Sequence, residues 1–320
     1  KPNEAAEYYR MVMARAQEIK DAELQAVLSS MMGQAMVTRG RFGEALPMLA
    51  RASEPLESFG NWVEWIRNAA YHGVALAAQG QMAEAMQQGD SAIERAQELN
   101  HPTALGVALL LRGWVDLLNG DMAGMGERAE RAIEVARETG DALLLFAGYG
   151  EQAWSATRLG RLDEATASFA RTKTTARTVE GPLIFSDLFA AAEVELALRQ
   201  RRISEAASLA ETVVTQARST SNLFAEGLAQ RFWAMALGAL EPPQWEAAEA
   251  HLMLSLEALE SGGALPEVAR TRVTLGRLHH QLGHTARARE QFEQAITLLD
   301  SAGLSAEADR ARQRLAELAV

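Results

Sequence analysis

The chain contains no cysteine among its 320 residues, which excludes disulfides, thiolate nucleophiles and thiolate zinc sites. It has only eight prolines, so little in the sequence interrupts helices. Lysine occurs only as Lys1, Lys20 and Lys173, and the formal net charge is −11. A chain of this charge has no bulk attraction to nucleic acid or to anionic lipid. We therefore expect no direct nucleic-acid binding and no membrane binding.

Long hydrophobic runs are also missing. The longest apolar stretch, residues 104–111, is far shorter than the roughly 20 residues that cross a bilayer. Without such a segment or a signal-peptide pattern, and without cysteine, the sequence fits a cytoplasmic protein. The chain begins at Lys1 rather than at a methionine, and we interpret it as part of a longer protein.

Catalytic motifs are absent as well. There is no glycine-rich phosphate loop, no nucleophile elbow and no metalloprotease histidine pair. His279, His280 and His284 form a small cluster, but a turn expected at Gly283 separates the first two from the third. We expect no enzyme activity, no cofactor and no metal site.

A turn signal recurs along the whole chain. It consists of a small or flexible residue, an apolar residue two positions later, and Glu-Ala; residues 40–45, 80–85 and 160–165 are its clearest copies. The copies start 40 to 42 residues apart, at Gly40, Gly80, Gly120, Gly160, Arg201, Pro243 and Gly283. A fixed period in this range indicates a solenoid.

Each repeat divides at its turn into two amphipathic helices. Leu109, Leu110, Gly113 and Leu117 lie at helical spacing before Gly120, and similarly spaced apolar residues follow it. We predict a single all-α domain over residues 1–320, folded as a right-handed α-solenoid. Its expected parts are an N-terminal helix (1–20), seven antiparallel helix pairs (21–302) and a C-terminal capping helix (303–320).

The small residues of each pair carry a family resemblance. Seven residues before the turns stand Gly33, Gly73, Gly113, Ala153, Val194, Ala236 and Gly276. Five residues after them stand Ala45, Ala85, Met125, Ala165, Ala206, Ala248 and Ala288. This pattern resembles the tetratricopeptide repeat, although the period is about 40 rather than 34. It is similar to the long-helix form in bacterial maltose-regulator-like activators and ATPase-linked cyclases. The resemblance implies a bacterial signalling protein whose repeats follow a nucleotide-binding module.

Units five and six depart from the pattern. Arg201 and Pro243 replace the turn glycine, and Val194 replaces the small residue. Two interpretations remain open: ordinary drift in a degenerate repeat, or a local change of superhelix curvature that shapes a binding surface.

The resemblance also implies which residues line the concave groove, because the first helix of every pair faces it in tetratricopeptide arrays. Trp114 and Trp154 share one register in adjacent units, and we expect their indoles to stack side by side, exposed in this groove. The groove residues predicted from this rule are Arg67, Val74, Leu110, Trp114, Leu118, Trp154, Arg158, Glu195, Arg199 and Trp233.

These observations favour a non-catalytic scaffold that binds a peptide or a protein partner in its groove. The alternative is a sensor of a small effector such as an oligosaccharide, because tryptophan faces suit sugar stacking. Self-association through the N-terminal end is a further possibility, since Tyr8, Tyr9, Met11 and Met13 make that helix apolar on more than one side.

Overall fold

The fold is entirely helical in the residues that the structure describes. A computed structural model describes Met11, Val12, Arg15, Ala16 and residues 18–179 and 183–318. These residues contain fifteen helices of at least 13 residues. In chain order they are α1 (Ala22–Val37), α2 (Phe42–Ser58), α3 (Trp62–Ala78), α4 (Met82–Glu98), α5 (Pro102–Asn119), α6 (Met122–Thr139), α7 (Ala142–Arg158), α8 (Leu162–Ala176), α9 (Ser186–Arg199), α10 (Ile203–Thr220), α11 (Leu223–Gly238), α12 (Trp245–Gly262), α13 (Leu265–Gln281), α14 (Thr285–Ser301) and α15 (Ser305–Glu317). The helix expected over residues 1–20 lies largely outside the described residues.

The helices pair in sequence. Each odd-numbered helix from α1 to α13 packs against the even-numbered helix that follows it, giving seven units, and α15 packs against α14. The odd-numbered helices of neighbouring units also contact one another, so they form the inner face of a superhelix. The prediction of an all-helical solenoid of helix pairs is confirmed.

Small side chains let the two helices of a unit approach closely. A Cβ atom on Gly73 would lie 2.9 Å from the carbonyl oxygen of Ala85, and one on Gly276 would lie 2.9 Å from the ring of Phe292. The seven residues that follow the turns by five positions are all completely buried: Ala45, Ala85, Met125, Ala165, Ala206, Ala248 and Ala288. The small residues recognised in the sequence therefore mark the crossing points of the helix pairs.

The superhelix closes on itself between its two ends. The loop after α1 packs against the loops before α11 and α13, and the loop after α3 packs against the loops before α13 and α15. The loop after α5 lies beside Glu307 of α15, and we call these contacts together the seam. The backbone N–H of Leu223 donates to the carbonyl of Arg39 at 2.9 Å, and the side-chain amide of Gln79 donates to the carbonyl of Gly263 at 2.8 Å. These partners lie 184 residues apart in the chain. Successive turns of the superhelix thus touch directly.

The opposite edge of the inner face has no such cover. We call the loops after α7, α9, α11 and α13 (residues 159–161, 200–202, 239–244 and 282–284) the free rim. No other residue lies within 4 Å of a Cβ atom placed on Gly160 or on Gly283. The irregular turns of units five and six, at Arg201 and Pro243, both belong to this free rim.

None of the described helices is long and apolar enough to span a membrane.

Candidate functional site

The two tryptophans predicted to line the groove are buried. Trp114 is 3% exposed and Trp154 is 1% exposed. The ring of Trp114 packs on Phe185, with centroids 4.5 Å apart, and the indole N–H of Trp154 donates to Glu195 at 3.0 Å. The expectation of two exposed, stacked indoles is therefore wrong, because neighbouring residues of the inner face occupy the space in front of each ring. A Trp114→Ala/Trp154→Ala variant would disturb the core rather than an open groove.

The other predicted groove residues fall into three groups. The aliphatic ones, Val74, Leu110 and Leu118, belong to the core, each at most 4% exposed. Arg67 keeps a side chain that is 48% exposed, near Glu64 of the same helix. Trp233 is half-buried and stacks on His251, with ring centroids 4.0 Å apart. The remaining residues, Arg158, Glu195 and Arg199, meet in one charged cluster.

Arg158, Glu195 and Arg199 form the first part of a charged cluster inside the superhelix. Arg158 Nε lies 3.0 Å from one carboxylate oxygen of Glu195, and Arg199 Nη2 lies 3.1 Å from the other. Burial acts to raise the pKa of Glu195, but Arg158 and then Arg199 outweigh it and lower that pKa below its ordinary value. Glu195 is therefore an anion fixed between two guanidinium groups.

The second part of the cluster joins α11, α13 and α15. Glu267, completely buried, pairs with Arg231 and with Arg270, in both cases at 2.5 Å. Arg270 also pairs with Glu307 at 2.6 Å and donates to the carbonyl of Leu118 at 2.9 Å. Although burial acts to raise the pKa of Glu267, the guanidinium groups hold it well below its usual range. Arg270 thus ties the C-terminal helices to α5 across the inner face.

A third buried acid lacks such partners. Glu151 on α7 is 1% exposed, and its Oε2 has no hydrogen-bond partner among the described residues, nor does the nearby Nε1 of Trp114. Burial raises the pKa of Glu151 well above its ordinary value. Sequence reasoning missed this residue, because a glutamate at an interior helix position looks like any solvated glutamate.

The inner face stays open at a cleft beside the free rim, which we call the arginine cleft. Its volume is about 690 Å³. The lining residues are Gly160, Leu162, Glu195, Leu198, Arg199, Arg201, Ile203, Ala234, Met235, Gly238, Ala239, Trp245, Leu252, Thr274, Arg277, Leu278 and Gln281. Glu195 and Arg199 are the two predicted site residues that reach this cleft.

The arginine cleft combines an apolar wall with cationic groups at its mouth. Leu198, Met235 and Leu278 supply apolar surface, and Met235 is 39% exposed. Arg201 and Arg277 are exposed and line the cleft. The sequence marks Arg201 as a departure from the turn pattern, but no local signal shows that Arg201 and Arg277 line one cavity.

The histidine cluster is divided as predicted. His279 lies on α13 and His284 follows the turn at Gly283, which has a φ of 73°. Their ring centroids are 6.0 Å apart. In the described part of the chain, no group of three or more histidine, aspartate or glutamate side chains is arranged to hold a metal ion.

The residues of the arginine cleft can bind a ligand through charge and through apolar contact.

Residues 243–301 match the family model described as tetratricopeptide repeat. No curated protein matches the sequence.

Solved structures with a similar fold cover most of the chain. A chain of the APC/C hetero-tetramer Cut9–Hcn1 superposes with a TM-score of 0.64 at 16% identity, over 97% of this chain and 52% of that one. The protein therefore spans about half the length of that match. A Rap protein complexed with competence and sporulation factor superposes with a TM-score of 0.64 at 11% identity, over 91% of this chain and 80% of that one.

A signal transduction ATPase with numerous domains and a tetratricopeptide repeat sensor, from Pyrococcus horikoshii, is also similar. It superposes with a TM-score of 0.54 at 14% identity, over 83% of this chain and 42% of that one. At these identities the likeness concerns the fold. Together with the small residues at the helix crossings, it shows that the chain has the fold of a tetratricopeptide-repeat-like solenoid, and residues 243–301 match the model of that repeat.

Proposed function

We propose that the protein is a non-catalytic recognition scaffold that binds a segment of a partner protein in the arginine cleft. The observation that carries this proposal is that the inner face is open at the arginine cleft and filled elsewhere along the predicted groove. The predicted groove around Trp114 and Trp154 is filled by the protein's own side chains, whereas Met235 and Arg277 of the arginine cleft are exposed. Two proteins of similar fold occur in a hetero-tetramer and in a complex with a factor, and this supports a role in protein recognition.

We further propose that this scaffold is the interaction region of a larger cytoplasmic signalling protein of bacterial origin. The long repeat period and the similarity to a repeat sensor within a multidomain ATPase support that proposal. Reading the coding sequence upstream of Lys1 tests it. We expect this upstream sequence to encode a nucleotide-binding module. An in-frame stop codon followed by a start codon only a few codons before Lys1 would contradict the proposal.

A second candidate function is the sensing of a small effector. The volume of the arginine cleft, about 690 Å³, falls within the range typical of small-molecule sites. An effector that binds only the native state raises the melting temperature by mass action. A thermal-shift screen of sugars and metabolites tests this function. A compound that raises the melting temperature of the protein, but not that of a variant substituted at Arg277, would favour effector sensing over peptide binding.

Site-specific photocrosslinking tests the protein-recognition proposal. A benzoylphenylalanine at position 235 places the probe in the arginine cleft, and one at position 253 is the matched control. Met253 is 54% exposed, but it lines a different cleft, beside α14. We expect a polypeptide from a bacterial lysate to crosslink at position 235 and not at position 253. Equal crosslinking at both positions, or crosslinking at position 253 alone, would contradict the proposal.

A further inference from the structure

The arginine cleft is cationic in a protein that is otherwise acidic. Arg199, Arg201 and Arg277 line it against a single carboxylate, Glu195, although the chain carries a net charge of −11. Glu195 is already paired with Arg158 and Arg199. Arg201 and Arg277 form no ion pair in the described part of the chain, whereas Arg202, beside Arg201, pairs with Glu205. Two guanidinium groups therefore face the cleft without a counterion.

Arg201 holds its place at a conformational cost. Its φ is 61°, in the left-handed region that units 1 to 4 occupy with a turn glycine. A side chain there is strained, and glycine would satisfy the turn without strain. Strained positions of this kind cluster at functional sites. The strain and the missing counterion are independent observations, and both point to Arg201 as a binding residue.

The cleft does not end at Arg277. This residue also lines a second cleft between α13 and α15, of about 360 Å³, whose other cationic groups include Arg310. Arg310 forms no ion pair in the described part of the chain, while Arg312, two residues later, pairs with Asp300. The two clefts therefore adjoin at Arg277 and place arginines along one track from Arg201 to Arg310. A ligand that uses the whole track is extended rather than compact.

We propose that this track binds an extended acidic peptide, in which carboxylates meet Arg201, Arg277 and Arg310 and apolar side chains contact the wall at Leu198 and Met235. The proposal rests on the scaffold function and names the chemistry of its partner. Guanidinium groups recognise carboxylates through paired hydrogen bonds. The aliphatic wall favours a peptide over a single-stranded nucleic acid, because the bases need several stacking platforms and the cleft offers only the half-buried Trp245. The net charge of −11 also opposes a polyphosphate.

A selection from a random-peptide display library tests this inference. The chain of 320 residues is used, beside an Arg201→Gly/Arg277→Gln variant and an Arg131→Gln control. Arg131 is exposed on α6, away from both clefts. We expect the protein and the control to enrich peptides with interleaved acidic and apolar residues. The variant should lose this enrichment, and its dissociation constant for a selected peptide should rise at least about tenfold.

The design separates loss of binding from loss of folding. Arg201→Gly removes left-handed strain, so the melting temperature of that single variant should not fall while its affinity weakens. Binding of the selected peptide should also weaken with added salt.

Selected peptides without acidic enrichment, or acidic peptides that bind the variant equally well, would overturn the inference but would not contradict the scaffold function. Failure to select any peptide, together with no crosslinking at position 235, would overturn both. Binding of an oligonucleotide in place of peptides would also overturn the inference.

Discussion

Gly40 and Gly160 occupy the same turn position in units 1 and 4, and both have a positive φ, 68° and 80°. Their surroundings differ. A Cβ atom on Gly40 would overlap the backbone of Phe224 across the seam, whereas nothing lies within 4 Å of one on Gly160, at the free rim. The same turn glycine of the repeat therefore meets two different structural requirements. At the free rim glycine serves only the backbone turn; at the seam it also lets two superhelical turns touch.

The loops that connect the units show the same contrast. Gly262 and Ala302 lie in the seam, next to Gly40 and Gly80. The residues at the equivalent position in units 1 and 2, which lie outside the seam, are Phe59 and Leu99, and they are 50% and 40% exposed. Large side chains are found where nothing packs closely. The absence of such crowding at the free rim is what leaves the arginine cleft accessible.

Glu267→Gln, near the seam, is expected to cause the largest loss of unfolding free energy. It removes the buried counterion of Arg231 and Arg270, and breaking a buried pair typically costs about 3–5 kcal/mol of unfolding free energy. The matched change at the free rim is Glu164→Gln, which breaks an exposed pair with Arg161 and should cost less than about 1 kcal/mol. Urea denaturation at neutral pH measures both, and equal losses would contradict the contrast.

The same residue sets a pH dependence. Because the folded-state pKa of Glu267 is lowered from its ordinary 4.5, its contribution is fully present above that pH. The contribution is lost as the pH falls below 4.5 toward the folded-state value. The stability difference between the protein and Glu267→Gln should therefore shrink under acid conditions, and a difference that grew on acidification would contradict the assigned ion pairs.

Alanine at Gly40 and at Gly160 compares the two turn glycines directly. Both changes place a side chain in the left-handed region, at about 1–2 kcal/mol. Gly40→Ala must also push Phe224 away, and overpacking adds roughly 1–3 kcal/mol. Gly40→Ala should thus lower the unfolding free energy by clearly more than Gly160→Ala. Equal values would mean that the seam imposes no steric requirement.

Gly262→Ala tests the steric contact at the seam without the cost of placing a side chain in the left-handed backbone region. Gly262 ends α12 without a positive φ, so helix propensity alone favours alanine by about 1 kcal/mol. A Cβ atom there would overlap the carbonyl oxygen of Gly40, and we expect a net loss of about 1 kcal/mol. Gly43→Ala is the control, because its nearest neighbour would be Gln79 at 3.7 Å; that change should stabilise or be neutral. Thermal denaturation distinguishes the pair, and a stabilising Gly262→Ala would count against the seam.

Glu151→Gln, away from both the seam and the free rim, is expected to stabilise the protein. The pKa of Glu151 is raised by burial, so above about 4.5 the unfolded chain releases a proton that the folded chain retains. This cost grows with pH up to the folded-state pKa, and glutamine removes it. The variant should be more stable than the protein at pH 7, and the two should be about equally stable at about pH 4. A variant destabilised at pH 7 would indicate that the carboxylate is ionised and paired.

The local parts of this architecture were predictable from the sequence. The turn glycines, the alanines after them and the close approach at Gly73 follow from a repeat that specifies each helix pair by itself. The helix ends were predictable for the same reason. Asp121 and Asp141, for example, accept hydrogen bonds from the first turns of α6 and α7.

The seam and the arginine cleft were not predictable. They depend on a small rotation from unit to unit, which accumulates until Arg39 meets Leu223. The burial of Trp114 follows partly from Phe185, which lies outside the repeat pattern. One signal was available: Gly262 and Ala302 are small where Phe59 and Leu99 are large, and that difference separates packed loops from exposed ones.

Amide hydrogen exchange at Leu223 tests the closed superhelix most directly. Leu223 is the first residue of α11, and amides at this helix position normally lack an intrahelical partner and exchange fast. Here its N–H donates to Arg39 across the seam at 2.9 Å. Ala142, the first residue of α7, is the reference at an unsealed loop. We predict strong protection at Leu223 and fast exchange at Ala142; equally fast exchange at both would contradict the closed superhelix.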